Sequence, residues 1–328
     1  MKEIQPLLST RYTHARCASF FLFVAMLGSA LAQSATVPSA GALLEKHASL
    51  KNQLANNAYG RPLYLDSSES GNQINGNAYA VLDTPFNEVS ATFKKPASWC
   101  EVMILHINTK YCRAELASAP TTLKVNVGKK TPQTLQDSFA IIFAMRQPAA
   151  SAQLMSVQLH SENGPMGTSN YRIELEAVPL PDGKTFMHLR YGYESGVAAR
   201  VAMQGYLATA GRSKVGFTRV SQSGTDGKAS YVGGARGAVE RNTMRYFLAI
   251  DAYFQSLVQP PASQVNTRLE KWFDATEQYP TQLRETDKVS YMAMKKKRNS
   301  TPADWSGIPL NLQGIDNVLH AVPSCGYL

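Results

Sequence analysis

Residues 231–258, YVGGARGAVERNTMRYFLAIDAYFQSLV, decide how the rest of the chain is read. Val239, Thr243, Tyr246 with Phe247, Ile250, Phe254 and Leu257 recur at steps of three and four residues, so they share one helix face. Glycines lead into this helix, and Pro260-Pro261 ends it, because proline lacks an N–H and clashes with the preceding turn. The run 233–237 suits a tight entry turn, or a nest of free N–H groups for an anion. A polar cluster, Glu240, Arg241, Asn242 and Arg245, sits in the N-terminal half. Arg241 and Arg245 are four apart and repel unless a carboxylate or an anionic ligand group lies between them. Glu174 and Glu176 are the candidate carboxylates, and a solvated face is the alternative.

Upstream, the chain reads as strands that such a helix would cover. In the stretch 170–194, Tyr171, Ile173, Leu175 and Ala177 alternate with Arg172, Glu174 and Glu176. After Pro181-Asp182-Gly183, Met187, Leu189, Tyr191 and Tyr193 alternate with His188 and Arg190. A three-residue loop with Gly183 left-handed pairs 175 with 189 and 173 with 191, and keeps both faces uniform. A two-residue loop would mix them. The chosen register sets Glu174 against Arg190 and Glu176 beside His188. Further strands are expected at 78–83, 123–127, 139–145, 155–159 and 214–220. The segment 99–111 fits helix or strand.

Helices are expected at 39–56, from Thr84-Pro85 to Phe93, at 197–209, 266–278 and 281–297. The segment 66–77 (DSSESGNQINGN) is polar and glycine-containing and reads as a loop. Lys295-Lys296-Lys297-Arg298 falls at a helix C-terminus, where the dipole favours cations. The last thirty or so residues read as loop-rich tail.

The order of one strand, two helices, a run of antiparallel strands and a long amphipathic helix resembles the START-like, helix-grip superfamily. The matching pieces are 79–93, the strands of 123–193, and 237–257. The expected fold is α+β: a curved antiparallel sheet gripping a long C-terminal helix, with extra N- and C-terminal helices. The domain plan is a leader at 1–32, a helical arm and loop at 33–76, the gripping domain at 77–258, and a helical extension and tail at 259–328. The superfamily implies an enclosed apolar space that takes a lipid, sterol or other hydrophobic molecule, less often cyclase or hydrolase chemistry. No functional residue is carried across, because the resemblance is one of order and not of motif.

The candidate ligand-binding residues follow from side-chain character. Tyr191, Tyr193, Tyr246 and Met244 are amphipathic or adaptable side chains suited to an apolar pocket, and equally suited to filling a core. Arg241 and Arg245 would meet a polar head. If the charged side of the hairpin is covered, Glu174, His188 and Arg190 become acid–base candidates. No histidine stands at metal-ligand spacing, and the chain lacks a G-x-S-x-G elbow, a Cys-x-x-Cys pair and a phosphate loop. No cofactor or metal is therefore expected, and the chain reads as a binder before it reads as an enzyme. A structural envelope protein docking through its basic tail is the third reading.

The first residues set the address. Lys2, Arg11 and Arg16 precede a 14-residue apolar run, 18–31, followed by the small-x-small pattern Ala30-Leu31-Ala32. The run is shorter than the ~20 residues a membrane span needs. Cleavage near Ala32, and a periplasmic or secreted mature chain, are expected. Removing Lys2, Arg11, Arg16 and Glu3 lowers the formal charge from +9 to +7. Export makes nucleic acid an improbable partner for that charge, and an anionic membrane surface or acidic envelope polymer fits it better. Cys100, Cys112 and Cys325 survive cleavage, and in an oxidising compartment two should pair. Cys100 with Cys112 is the expected disulfide, although a pair involving Cys325 stays open.

Overall fold

The computed structural model describes residues 38–299 apart from 118, 210, 212 and 222–229, all within the compact unit Val37–Leu328. The leader, Cys325 and the tail expected after residue 299 lie outside the described residues. Helix α1 (Ala40–Ala55) starts where the Ser39 hydroxyl accepts the Ala42 N–H at 3.4 Å. Next come β1 (Leu63–Ser70), β2 (Gln73–Leu82), α2 (Phe86–Phe93) and α3 (Pro96–Met103). Six antiparallel strands follow: β3 (Thr109–Glu115), β4 (Thr122–Val127), β5 (Phe139–Ala150), β6 (Met155–Asn163), β7 (Thr168–Pro179) and β8 (Thr185–Ser195). Then come α4 (Val197–Ala208), a two-stranded ribbon of β9 (Arg219–Ser221) and β10 (Ser230–Tyr231), and the long helix α5 (Gly234–Ser256). The chain continues through α6 (Pro261–Glu277), α7 (Pro280–Leu283) and α8 (Lys288–Asn299).

The main sheet has eight strands in the order β1-β2-β8-β7-β6-β5-β4-β3, every neighbour antiparallel. From β2 onward the element order is one strand, two short helices, six antiparallel strands and, after the inserted α4 and β9–β10 ribbon, a long helix, which is the helix-grip arrangement. The β7–β8 hairpin has the expected register: Leu175 faces Leu189, Ile173 faces Tyr191, Glu174 faces Arg190 and Glu176 faces His188. Gly183 is left-handed, with φ +81°, as the three-residue loop requires.

Alternation sorts the sheet into two faces. Ala78, Ala80, Leu123, Val125, Ile141, Phe143, Val157, Leu159, Ile173, Leu175, Met187 and Leu189 share one core with α2, α3, α5 and α6. Across the sheet, Phe186 and Val178 pack with Leu43, Leu50 and Leu54 of α1 in a second, smaller cluster. His47, half-buried, packs against the Phe186 ring at 4.7 Å.

Four expectations need correction. The stretch 66–77 is not a loop: it is the β1–β2 hairpin, paired from Leu63↔Ala80 to Ser70↔Gln73, so the gripping sheet begins at Leu63 and not at residue 77. The ambiguous stretch 99–111 is both things: the end of α3 and the start of β3, with a turn between. The strand expected at 214–220 shrinks to β9. The helix expected at 281–297 is two helices, because the linker 284–287 leaves the helix to reach a buried arginine. The Cys100–Cys112 disulfide forms as expected, with Cα atoms 5.1 Å apart, and ties α3 to β3.

Helix α5 is not a simple lid. Its polar residues are buried together with its apolar ones, because β1, the stretch 215–218 and the linker 284–287 cover its N-terminal half and α6 packs along the rest. The Trp272 indole N–H reaches the Arg245 carbonyl at 3.0 Å, and Arg268 lies 4.2 Å over the Tyr253 ring. On the sheet side, a Cβ placed on Gly76 would meet Thr243 Oγ1 at 2.3 Å. Only a residue without a side chain lets α5 come this close to β2.

Candidate functional site

Between the sheet and α5 lies a layer of four tyrosines, with Tyr171, Tyr191 and Tyr193 buried and Tyr246 half-buried. Tyr171 and Tyr193 stack at 5.2 Å, Tyr191 meets Tyr171 at 6.2 Å and Tyr193 at 6.1 Å, and Tyr246 of α5 sits 5.4 Å from Tyr191. Strand alternation places 171, 191 and 193 on the inner face, and the helix brings 246 down on them. Tyr171 and Thr168 share a hydrogen bond of 3.1 Å between hydroxyls. The Tyr193 hydroxyl is buried with no hydrogen-bond partner among the described residues. Burial raises the phenol of Tyr171 to about 12, and raises those of Tyr191, Tyr193 and Tyr246 as well. All four stay protonated and can donate. Met244 is fully buried in the main core.

The polar cluster of α5 is completely enclosed: Glu240, Arg241 and Arg245 each expose 0% of their surface. The Glu240 carboxylate accepts from Ser67 Oγ (2.5 Å), Thr218 Oγ1 (2.7 Å), Phe217 N (2.6 Å) and Thr218 N (2.9 Å). A Cβ on Gly216 would stand 2.5 Å from this carboxylate, so a glycine is needed where 216–218 wraps it. Arg236 closes the nest from outside by donating to Ser67 Oγ and its carbonyl. Arg241 donates to the Val215 carbonyl at 3.2 Å.

Arg245 donates to Glu285 Oε1 at 2.8 Å. Glu285 is also gripped by Lys130 at 2.8 Å and Lys214 at 3.1 Å. Burial alone would raise its carboxyl, but Arg245, Lys130 and Lys214 outweigh that and hold it at about 2. Burial and the neighbouring Arg245 pull the Lys130 ammonium down to about 8, against the attraction of Glu285. The carboxylate that answers Arg245 is therefore Glu285, not the expected Glu174 or Glu176, which the register places on the far side of the sheet. Beside it, His106 accepts the Asn108 N–H at Nδ1, which puts its proton on Nε2. Burial, with Arg245 and Lys295 nearby, drives its pKa well down and keeps it neutral.

The acid–base candidates fall on the outer face. Glu174 and Arg190 pair loosely at 3.4 Å, the arginine side chain 45% exposed. His188 stacks on Tyr79 at 4.2 Å and pairs with Asn77 at 2.9 Å and Glu176 at 3.4 Å. A charged inner wall of Glu174, His188 and Arg190 does not form, because each stands one position out of phase with the inward Leu175, Leu189 and Tyr191.

Lys295 also departs from expectation. It is buried, and its ammonium donates to the carbonyls of His106 (2.7 Å) and Thr109 (2.8 Å), so α8 docks through it and does not offer it to solvent. Tyr291 of the same helix donates to the Leu105 carbonyl at 2.8 Å. The helical extension is fastened to the body by these buried polar contacts.

Two concavities lie elsewhere. One, of about 250 Å³, is a polar surface cleft between α5 and α6 lined by Arg61, Asp251, Glu270 and Asp274. The other, of about 10 Å³, adjoins Arg245, Glu285 and Tyr291. Neither is lined by Tyr191 or Tyr246. Among the described residues, no group of three or more His, Cys, Asp or Glu could hold a metal ion, and no helix is long and apolar enough to cross a membrane.

No family model matches the chain, and no curated protein matches it. Among solved structures it is similar to a point mutant of norcoclaurine synthase from Thalictrum flavum, with TM-score 0.32 and 12% identity over 42% of this chain and 86% of that one. It is also similar to human StAR-related lipid transfer protein 5, with TM-score 0.29 and 11% identity over 52% of this chain and 89% of that one. At such scores the likeness carries no weight of its own. The strand order and the gripped helix α5 give this chain an α+β helix-grip fold, enlarged by β1, α1, α4 and the helices after Pro260.

Proposed function

We propose that this is an exported ligand-binding protein that takes a hydrophobic or amphipathic, lipid-like molecule between its sheet and α5. The observation that carries the reading is the Tyr193 hydroxyl, buried in the tyrosine layer without a partner among the described residues. An unpaired buried hydroxyl costs about 1–3 kcal/mol, and a ligand oxygen arriving beside it would relieve that cost. Tyr191 and Tyr246 would flank the apolar body of the molecule, Met244 would adapt to its shape, and Arg241 and Arg245 would lie toward its polar end. Because the tyrosines now rest on one another, entry requires them to part, with α5 or α4 yielding.

Export rests on the basic, apolar and small-residue order of 1–32, and the Cys100–Cys112 disulfide suits an oxidising compartment. The basic mature chain would meet anionic envelope surfaces there. Full-length protein recovered from the cell envelope should carry lipid that organic extraction and mass spectrometry detect. Repeated preparations with no bound lipid would remove the proposal.

A second reading has its own support: the two concavities described above avoid the tyrosine layer. On that reading the interior is a solid core and the protein acts through its surface. Lipid-free protein that takes up no fatty acid or phospholipid would favour it.

A further inference from the structure

The centre around Glu285 has the form of an occupied anion site. Three cations from three separate segments converge on one carboxylate: Lys130 from the β4–β5 connection, Lys214 from the stretch after α4, and Arg245 from α5. Lys130 and Arg245 both reach Oε1, and Lys214 reaches Oε2. The carboxylate itself comes from the 284–287 linker between α7 and α8, so it can leave without disturbing the sheet or α5. The linker is also held through its backbone, with Lys214 on the Arg284 carbonyl at 3.2 Å and Arg245 on the Leu283 carbonyl at 3.4 Å.

We propose that Lys130, Lys214 and Arg245 form a binding site for a phosphate group, that Glu285 occupies it as a built-in stand-in, and that a phosphate-bearing molecule competes with Glu285 and releases the linker. A tetrahedral oxyanion offers three cations more oxygens and more charge than one carboxylate, and charge-assisted bonds to phosphate are among the strong ones. The adjoining gap of about 10 Å³ is roughly one water in size, so phosphate enters only as the linker swings out. Binding and release are then one event. The inference shares Arg245 with the polar end of the proposed lipid site but uses none of the tyrosines, so inorganic phosphate tests this centre without any lipid.

The test uses full-length protein in two forms. In the wild type, hydrogen exchange of the Arg284 amide, which donates to the Pro280 carbonyl at 3.3 Å, is followed with rising inorganic phosphate, against chloride at equal ionic strength. Exchange should accelerate about tenfold when phosphate reaches ten times its dissociation constant, with α5 unaffected. Glu285→Ala, which vacates the site, should bind inorganic phosphate by calorimetry and melt at a higher temperature in its presence. Phosphatidic acid vesicles in parallel assign the source: preference for vesicles means a lipid head group, and preference for the free ion means soluble phosphate. A wild-type linker indifferent to phosphate overturns the proposal, as does a folded Glu285→Ala that binds neither phosphate nor vesicles. If Glu285→Ala does not fold, the wild-type exchange result decides alone.

Discussion

Gly76 of β2 lies against Thr243 of α5 so closely that a single added carbon would stand 2.3 Å from the threonine hydroxyl oxygen. The same carbon would stand 3.3 Å from the Val239 carbonyl, which already accepts from that hydroxyl at 2.8 Å. Strand and helix touch backbone to backbone here, and this contact fixes how deeply the sheet grips α5. Gly76→Ala should lower stability by about 1–3 kcal/mol through overpacking, read from urea unfolding. Gly183→Ala, which strains only an exposed turn, should leave the melting of α5 contacts unchanged apart from a smaller global loss.

Two glutamates separate buried from exposed charge. Glu240→Ala would strand the N–H groups of Phe217 and Thr218, and should cost about 3 kcal/mol or more. Glu174→Ala removes only the loose outer pair with Arg190 and should cost under about 1 kcal/mol. Chemical denaturation of the two variants side by side checks the ranking.

Acid should release the α7–α8 linker only as the pH falls toward 2. The Glu285 carboxyl, held at about 2 by its three cations, lies below its unfolded value of 4.5. Its contribution is therefore fully present above pH 4.5 and drains away as pH falls toward 2. A shift of this size corresponds to something on the order of 3 kcal/mol. In Glu285→Gln the melting temperature should be lower at neutral pH, and its fall between those limits should be shallower than in the wild type.

Reduction should destabilise the protein without unfolding the sheet. The Cys100–Cys112 bridge spans 12 positions, and closing such a loop contributes about 3 kcal/mol in the chain-entropy model. Cys100→Ala combined with Cys112→Ala should show that loss in guanidinium melts, while the wild type in reductant should match the double variant.

The Tyr193 hydroxyl offers a signed test. In lipid-free protein, Tyr193→Phe removes an unpartnered buried polar group and should leave stability unchanged or raise it by about 1 kcal/mol. The same variant should retain less lipid, because the donor that would meet a ligand oxygen is gone. A variant that melts well below the wild type when lipid-free would mean that the hydroxyl is satisfied in solution.

Much of the sheet was legible in the sequence because its inner positions are large and strictly alternate. The β7–β8 register followed from side-chain faces and from one glycine in the turn. The β1–β2 hairpin was not legible: its inner positions include Ser67 and Gly76, kept small or polar to meet Glu240 and Thr243, so the stretch resembles a loop. The tyrosine layer was partly visible, since Tyr191, Tyr193 and Tyr246 fall on the correct faces, while Tyr171 passed as another strand residue. The pair Arg241 and Arg245 signalled a missing carboxylate. Its source, Glu285, lies 40 positions along the chain, in a linker whose flanking periodicity looks like one continuous helix. Lys295 seemed part of a basic tail because sequence gives no view of the carbonyls of His106 and Thr109 that it caps.

The central claim is that a lipid-like molecule enters between the sheet and α5. Native mass spectrometry of delipidated full-length protein, titrated with phospholipid, tests it most directly. The account predicts one bound lipid per chain in the wild type and weaker retention in Tyr193→Phe at unchanged fold. A wild type that stays lipid-free throughout the titration would contradict it.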